Sequence, residues 1–542
     1  MSSFPAILLS LLAAPAAAPT YDTLVVCPPE FRSALAPWLE YRSAQGHRIS
    51  VVEPASTAEA VRGQIRSVAR SHKLRYVVLI GDAPGGQQNY ASRRTVPVSY
   101  RPATVTVRWG SEPLIATDNW YADLDDDDLP DVAIGRITAD SPEELSLITG
   151  KTIAYEQTAD FSQWRRRVNF VAGIGGFGAL ADTAIELAAK KLITDGIPAS
   201  YATSMTYASW RSAYCPSPPN FRQATVDRLR EGCLFWVYLG HGQHRELDWV
   251  RAPGCAYPVL GERDIPQIRC TSGTPIACFL SCYAGSFDGA EDCLAEQMLR
   301  TSGAPVAVVC GSRVTMPYAM AVLGTELLDE CFARRSPTLG DALRSAKRSM
   351  VRPGKKTENR ASLDALAGVL SPSPDQLESE LKEHLQLFNL VGDPCLRLHH
   401  PQDIDLTFEG TAQAGGKIQV RGSSPIAGNC TLELITRRDR LTFTPPARPQ
   451  YADGTAALEK IDADYRRAND PRYVVVEQRI KKGPFSAELV VPADAYGPGH
   501  VRMYVEGKAD FAVGSADLTF QRVVKAGPAA LNQRASVKRV AR

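Results

Sequence analysis

Residues 235–243 read FWVYLGHGQ, and residues 275–289 read PIACFLSCYAGSFDG. Each is a short apolar run that stops at a glycine-containing turn, the first at Gly240-His241-Gly242 and the second just after Ser281-Cys282. Uninterrupted apolar runs of this length between turn residues are strands buried on both faces of a parallel sheet. In open α/β sheets, ligands and reacting groups gather at the carboxyl ends of the strands. If both runs lie in one sheet, His241 and Cys282 project into one crevice.

Each residue also has a plainer reading. A lone histidine beside glycines is more often a satisfied structural histidine than a catalyst, and a buried cysteine is usually an inert apolar group. Cys278, four residues before Cys282, is read that way. As a pair the two residues can do more. A thiol with a neighbouring base can attack an acyl carbon, and the backbone N–H groups of Gly242 and Cys282 can receive the developing oxyanion. The glycines beside His241 permit the sharp turn and the close approach of a second chain segment.

Outward from these strands the chain alternates strand and helix patterns. TLVVC (23–27), RISVVE (48–53) and YVVLIGD (76–82) are strands separated by amphipathic helices over 33–46 and 57–72. The pattern resumes at VNFVAGIGG (168–176), with a helix over 179–194, then ASYATSM (199–205), a helix over 221–231, and the two strands above. PVAVVCGS (305–312) is one more strand. These are βαβ units, hence a largely parallel, doubly covered sheet, read as two α/β units side by side and joined near 155–166. Beyond LFNLVGDPCLRLHHP (387–401) the texture changes. KIQVRG, CTLELIT, SAELVVP and HVRMYVEG alternate apolar and polar residues between turns, the mark of an antiparallel β-sandwich.

The expected organisation is therefore a leader over 1–18, an N-terminal α/β subdomain over 19–157 and a second α/β subdomain over 158–402. A β-sandwich over 403–524 and a basic tail over 525–542 complete it. The leader MSSFPAILLSLLAAPAAA has a secretory apolar region and small residues at its end, but no basic residue at its start. It points to a secreted, periplasmic or cell-envelope protein. No later segment offers about 20 uninterrupted apolar residues, so no transmembrane segment is expected. With 61 basic and 59 acidic side chains, net charge +2, there is no global bias toward nucleic acid or membrane. Twelve cysteines lie scattered without zinc spacing, and export would permit disulfides whose pairing is not readable.

Two further motifs need weighing. Asp123, Asp125 and Asp127 form an Asp-x-Asp-x-Asp run in TDNWYADLDDDDLPDVAIGRI (117–137), a spacing of carboxylates that suits calcium. An EF-hand fails there, because Asp128 stands where glycine and Ile134 where glutamate is needed; a solvated acidic turn is the plain alternative. Gly173, Gly175 and Gly178 match a dinucleotide fingerprint after a strand, yet ASYATSM ends without the acidic residue such a site wants. A tight loop lining the crevice accounts for the glycines better, with Gly176 and Asp182 as candidate pocket residues.

Taken in order, YVVLIGDA (76–83), the acidic loop, YLGHGQ (238–243), LSCYAGSFD (280–288), CLAEQMLRTSGAPVAVVCGS (293–312) and FNLVGDPCLRL (388–398) resemble the gingipain family of cysteine peptidases. That family belongs to the caspase/legumain/gingipain superfamily. The resemblance covers about residues 20–400 and implies a caspase-like catalytic α/β domain preceded by a similar subdomain and followed by an immunoglobulin-like module. It implies an endopeptidase with Cys282 as nucleophile and His241 as its partner, acting on proteins or peptides, with no cofactor in the chemistry and a structural calcium. It does not imply arginine specificity, because AGIGGFGALAD (172–182) offers no carboxylate before Asp182. A binding or adhesion protein that keeps the fold, with an unidentified partner for its β region, is the first alternative. A dinucleotide-dependent oxidoreductase is the second, opposed by the missing acid.

Overall fold

The computed structural model describes residues 20–84, 93–175, 186, 190–191, 193–352, 356–371 and 373–522. Gly176, Gly178 and Asp182, the leader and the basic tail lie outside the described residues. Ten strands make one sheet: β1 (Thr23–Val26), β2 (Ile49–Val52), β3 (Tyr76–Ile80), β4 (Ala133–Ile137), β5 (Arg167–Ala172), β6 (Ala202–Tyr207), β7 (Phe235–Leu239), β8 (Ile276–Leu280), β9 (Ala307–Gly311) and β10 (Phe388–Val391). Their order across the sheet is β2-β1-β3-β4-β10-β9-β8-β7-β5-β6. The near-continuous apolar character of β1, β3, β8 and β9 follows from burial on both faces.

The two α/β units expected from the sequence thus share a single sheet. Neighbours are parallel except at β9 and β10, which pair antiparallel from Val308↔Val391 to Gly311↔Phe388. β10 in turn runs parallel to β4 through Val391↔Arg136. The sheet is therefore two parallel halves of opposite direction, and the carboxyl ends of β5 to β9 form an edge of their own. Helices such as Pro317–Phe332 and Leu339–Val351 cover one face with an apolar cluster that includes Phe332, Leu343 and Leu385.

Residues 402–520 form two further sheets. One orders β11 (Gln402–Asp403), β18 (Phe511–Phe520), β17 (Gly497–Glu506), β14 (Gly428–Thr436) and β15 (Arg472–Ile480). The other orders β12 (Asp405–Glu409), β13 (Lys417–Ser424) and β16 (Gly483–Val490). Leu406, Val420, Leu432, Val501 and Leu518 are among the residues of their common core. The region is not all β: between β14 and β15 lies the helix Thr455–Ala468, whose Leu458, Ile461, Tyr465 and Ala468 repeat at helical spacing. It packs on the α/β part, where Asp462 accepts from the Ser217 amide (2.7 Å) and hydroxyl (2.9 Å).

Candidate active site

β7 and β8 are adjacent and parallel, with Leu239 opposite Leu280. His241 and Cys282 each lie two residues past that last pair, so both leave the sheet at one edge and one level. The two turns touch. A β-carbon on Gly242 would stand 2.6 Å from the Cys282 carbonyl oxygen and 2.8 Å from Ser281 Oγ, so only glycine fits. Gly240 has φ +151°, and the Tyr238 hydroxyl donates to the His241 carbonyl at 2.7 Å, fixing the backbone that carries the imidazole. His241 is half-buried, and its Nε2 lies 2.8 Å from the Gly175 carbonyl. A carbonyl only accepts, so Nε2 carries the proton of that bond.

Cys282 is half-buried, and its Sγ accepts from the Thr315 amide at 3.3 Å, lies 3.5 Å from the Thr315 hydroxyl and donates to the Thr315 carbonyl at 3.8 Å. Tyr283 follows with φ +54°, a left-handed conformation unusual for tyrosine, and its hydroxyl donates to Glu112 at 3.0 Å. Arg313 grips Asp288 through two N–H groups, at 2.8 and 2.6 Å, and Ser312 donates to the Ala116 carbonyl at 2.7 Å. These contacts tie the turn after Cys282 to the hairpin formed by Ser99–Pro102 and Leu114–Thr117. His244, which had no role in the sequence reading, pins the same turn. Its Nδ1 is 2.6 Å from Ser286 Oγ, and its Nε2 is 2.8 Å from the Glu291 carbonyl.

The other thiols are differently placed. All twelve cysteines are free, and only Cys255 and Cys282 escape full burial. Burial pushes the Cys278 thiol up to about 12 and holds Cys310 well above its ordinary value. Sequence reasoning missed Thr315, Arg313 and Asp288. Thr315 was findable by the same logic that found His241 and Cys282, since it follows β9, the neighbour of β8 ending on the same edge. Gly173 is explained by packing: a β-carbon there would meet Tyr238 OH and Asp248 Oδ2, each at 2.9 Å.

In the acidic loop, the carboxylates brought within 4.8 Å of one another are Asp123, Asp125 and Asp131. Asp127 turns away and caps the Leu129 amide at 2.8 Å, because the backbone reverses through positive φ at Asp126 and Asp128. Three clustered carboxylates are the hard oxygen donors calcium prefers. Asp123 also faces Arg62 (3.1 Å) and Asp131 faces Arg348 (3.0 Å), so arginines already neutralise part of the charge.

A family model described as peptidase family C25 matches residues 16–399. Among curated proteins, Gingipain R2 of Porphyromonas gingivalis is 22% identical over 353 residues, covering 61% of this chain and 43% of that protein. Lys-gingipain of the same organism is 22% identical over 290 residues, covering 51% of this chain and 15% of that protein. The chain spans less than half the length of these curated relatives. The fold is similar to that in the crystal structure of the Arg specific cysteine proteinase gingipain R, with TM-score 0.53 and 16% identity over 93% of this chain and 98% of that one. It is also similar to the complex of Porphyromonas gingivalis RgpB pro- and mature domains, with TM-score 0.51 and 17% identity over 92% of this chain and 100% of that one. A cysteine and a histidine at adjacent strand ends, in a fold of this kind and under that family match, lead to one conclusion: the chain belongs to peptidase family C25.

Proposed function

We propose that this protein is a cysteine endopeptidase with Cys282 as nucleophile and His241 as proton carrier. The observation that carries the reading is the pairing of β7 with β8, which sends both residues off one sheet edge while Gly242 abuts the Cys282 carbonyl. Cys282 gives its Sγ proton to the His241 imidazole and attacks the scissile carbonyl carbon, and the C=O π electrons become an oxyanion received by the Gly242 and Cys282 N–H groups. Collapse breaks the C–N bond as the imidazole hands its proton to the departing amine. Water then attacks the thioester, giving a proton to the imidazole; collapse breaks the C–S bond, the acid leaves, and the imidazolium returns its proton to Sγ.

Further parts of the reading rest on the family resemblance and the leader. The α/β part is caspase-like, the β part immunoglobulin-like, and the divisions near 157 and 402 separate them. Protein or peptide substrates are met outside the cytoplasm, and a calcium ion is held by Asp123, Asp125 and Asp131.

The test is cleavage of a mixed peptide library by the purified protein and by Cys282→Ala, His241→Ala and Cys278→Ala variants. Cleavage lost in the first two and kept in the third, with circular dichroism unchanged, is the expected result. Full activity in Cys282→Ala would sink the assignment; an inactive wild type that still binds peptides would turn it to the binding-protein reading. For calcium, a chelator should lower Tm and added calcium restore it, and an unmoved Tm removes the ion.

A further inference from the structure

The helix Leu339–Val351 carries Arg344 and Arg348 four residues apart on one face, with Ser345 and Ser349 beside them and Arg352 continuing the row past its end. Arg334, from the turn after helix Pro317–Phe332, forms the facing wall. With Asp131 and Glu330 these residues line a concave cavity of about 390 Å³. It lies on neither the Cys282 turn nor the hairpin against it.

Donors exceed acceptors in this cavity. Arg334 is held by Asp329 (2.9 Å) and Glu330 (2.8 Å), and Arg348 by the Asp131 carboxylate and the Pro130 carbonyl, both at 3.0 Å. Arg344 gives one N–H to the Asp131 carbonyl at 3.2 Å and approaches Asp341 at 3.8 Å, while its buried Nε has no hydrogen-bond partner among the described residues. The exposed Arg352 side chain has no partner among the described residues. With Asp329 and Asp341 counted, four carboxylates face the four guanidiniums, and what stays unmatched is hydrogen-bond donors, the Nε of Arg344 and the side chain of Arg352. A guanidinium presents five N–H donors in a rigid plane, a shape that fits pairs of oxygens on one centre, and the serine hydroxyls add further donors.

We propose that this cavity binds a tetrahedral dianion, phosphate or sulfate, either free or as the terminal group of a monoester. Such a group supplies acceptor oxygens for the unsatisfied N–H groups of Arg344 and Arg352. The inference is independent of the chemistry at Cys282.

The experiment uses the full chain in thermal melting and isothermal titration with sodium phosphate, sodium sulfate and glucose 6-phosphate, each against sodium chloride at equal ionic strength. Phosphate and sulfate also stabilise proteins by exclusion from their surfaces, so the comparison that decides is between variants. Arg352→Ala removes an exposed side chain without partners and so leaves the fold intact; it should weaken phosphate binding by about tenfold, the worth of one charge-assisted hydrogen bond. Combining it with Arg344→Gln should abolish the titration and reduce the Tm shift to that of an excluded salt. Glucose 6-phosphate binding as tightly as phosphate assigns a monoester, and phosphate binding alone assigns the free ion. A Tm shift and titration that survive in the double variant, or a wild type showing no heat of binding, would overturn the proposal.

Discussion

At the scale of single residues, Gly242 and the two cysteines of β8 carry the sharpest expectations. A methyl group at Gly242 meets two atoms of the Cys282 turn below 3 Å, and one is a carbonyl oxygen that no rotamer change can move. Gly242→Ala should therefore push the two turns apart and lower kcat/KM by about 100-fold, the cost of a misplacement near 1 Å, while circular dichroism stays unchanged. Cys278, pushed up to about 12 by burial, should resist alkylation at pH 7.5, whereas Cys282 and Cys255 react; peptide mapping after iodoacetamide reads the difference. The placement of His241 and Cys282 at adjacent strand ends was legible in the sequence because each follows an apolar strand that stops at a glycine-containing turn. Asp131 was not legible as a member of the acidic cluster. Its place there depends on a backbone reversal at Asp126 and Asp128, whose positive φ values no carboxylate spacing announces.

Elements were readable where burial set their composition. The helices Arg32–Ala44 and Ala58–Ser71 and the strands β1, β3, β7 and β8 fall where the periodicity put them, because one face or both meet a core. The helix Thr455–Ala468 escaped notice since it interrupts a run of alternating strands, although its apolar spacing was present. Its end does a strand's work. Asn469 exchanges two hydrogen bonds with Met205, accepting from its amide (2.7 Å) and donating to its carbonyl (2.9 Å). Met205 lies in β6, the outermost strand of its half-sheet, so the amide side chain covers backbone groups that would otherwise invite another chain. Asn469→Ala should lower unfolding free energy by about 1–3 kcal/mol, seen as a smaller urea midpoint at unchanged slope.

Over the whole molecule, two features bind the halves of the sheet. Arg300, at the end of helix Leu294–Arg300, donates to Asp140 (2.6 Å), Asp292 (2.7 Å) and the Thr138 carbonyl (2.7 Å), joining the segment after Cys282 to the loop beyond β4. Asp82 and Glu296 are crowded into the same place. Burial raises Asp82 from 3.8 to about 6 and lifts Glu296 well above the carboxylate range. A folded-state value above the unfolded one means stability is fullest below about pH 4 and falls as pH rises through 6. Asp82→Asn removes that loss, so its Tm should exceed the wild-type value by a few degrees above pH 6 and converge with it below pH 4. The other feature is β10. It closes the sheet between β4 and β9, yet Phe388–Val391 is separated from β4 by most of the α/β sequence. Until a growing chain has delivered those four residues, β4 and β9 present open flanks, and neither half can lean on the other. Assembly is thus a late event in synthesis that joins two partly ordered pieces. The interval before it, not the finished protein, is when this polypeptide is most exposed to aggregation and to proteolysis.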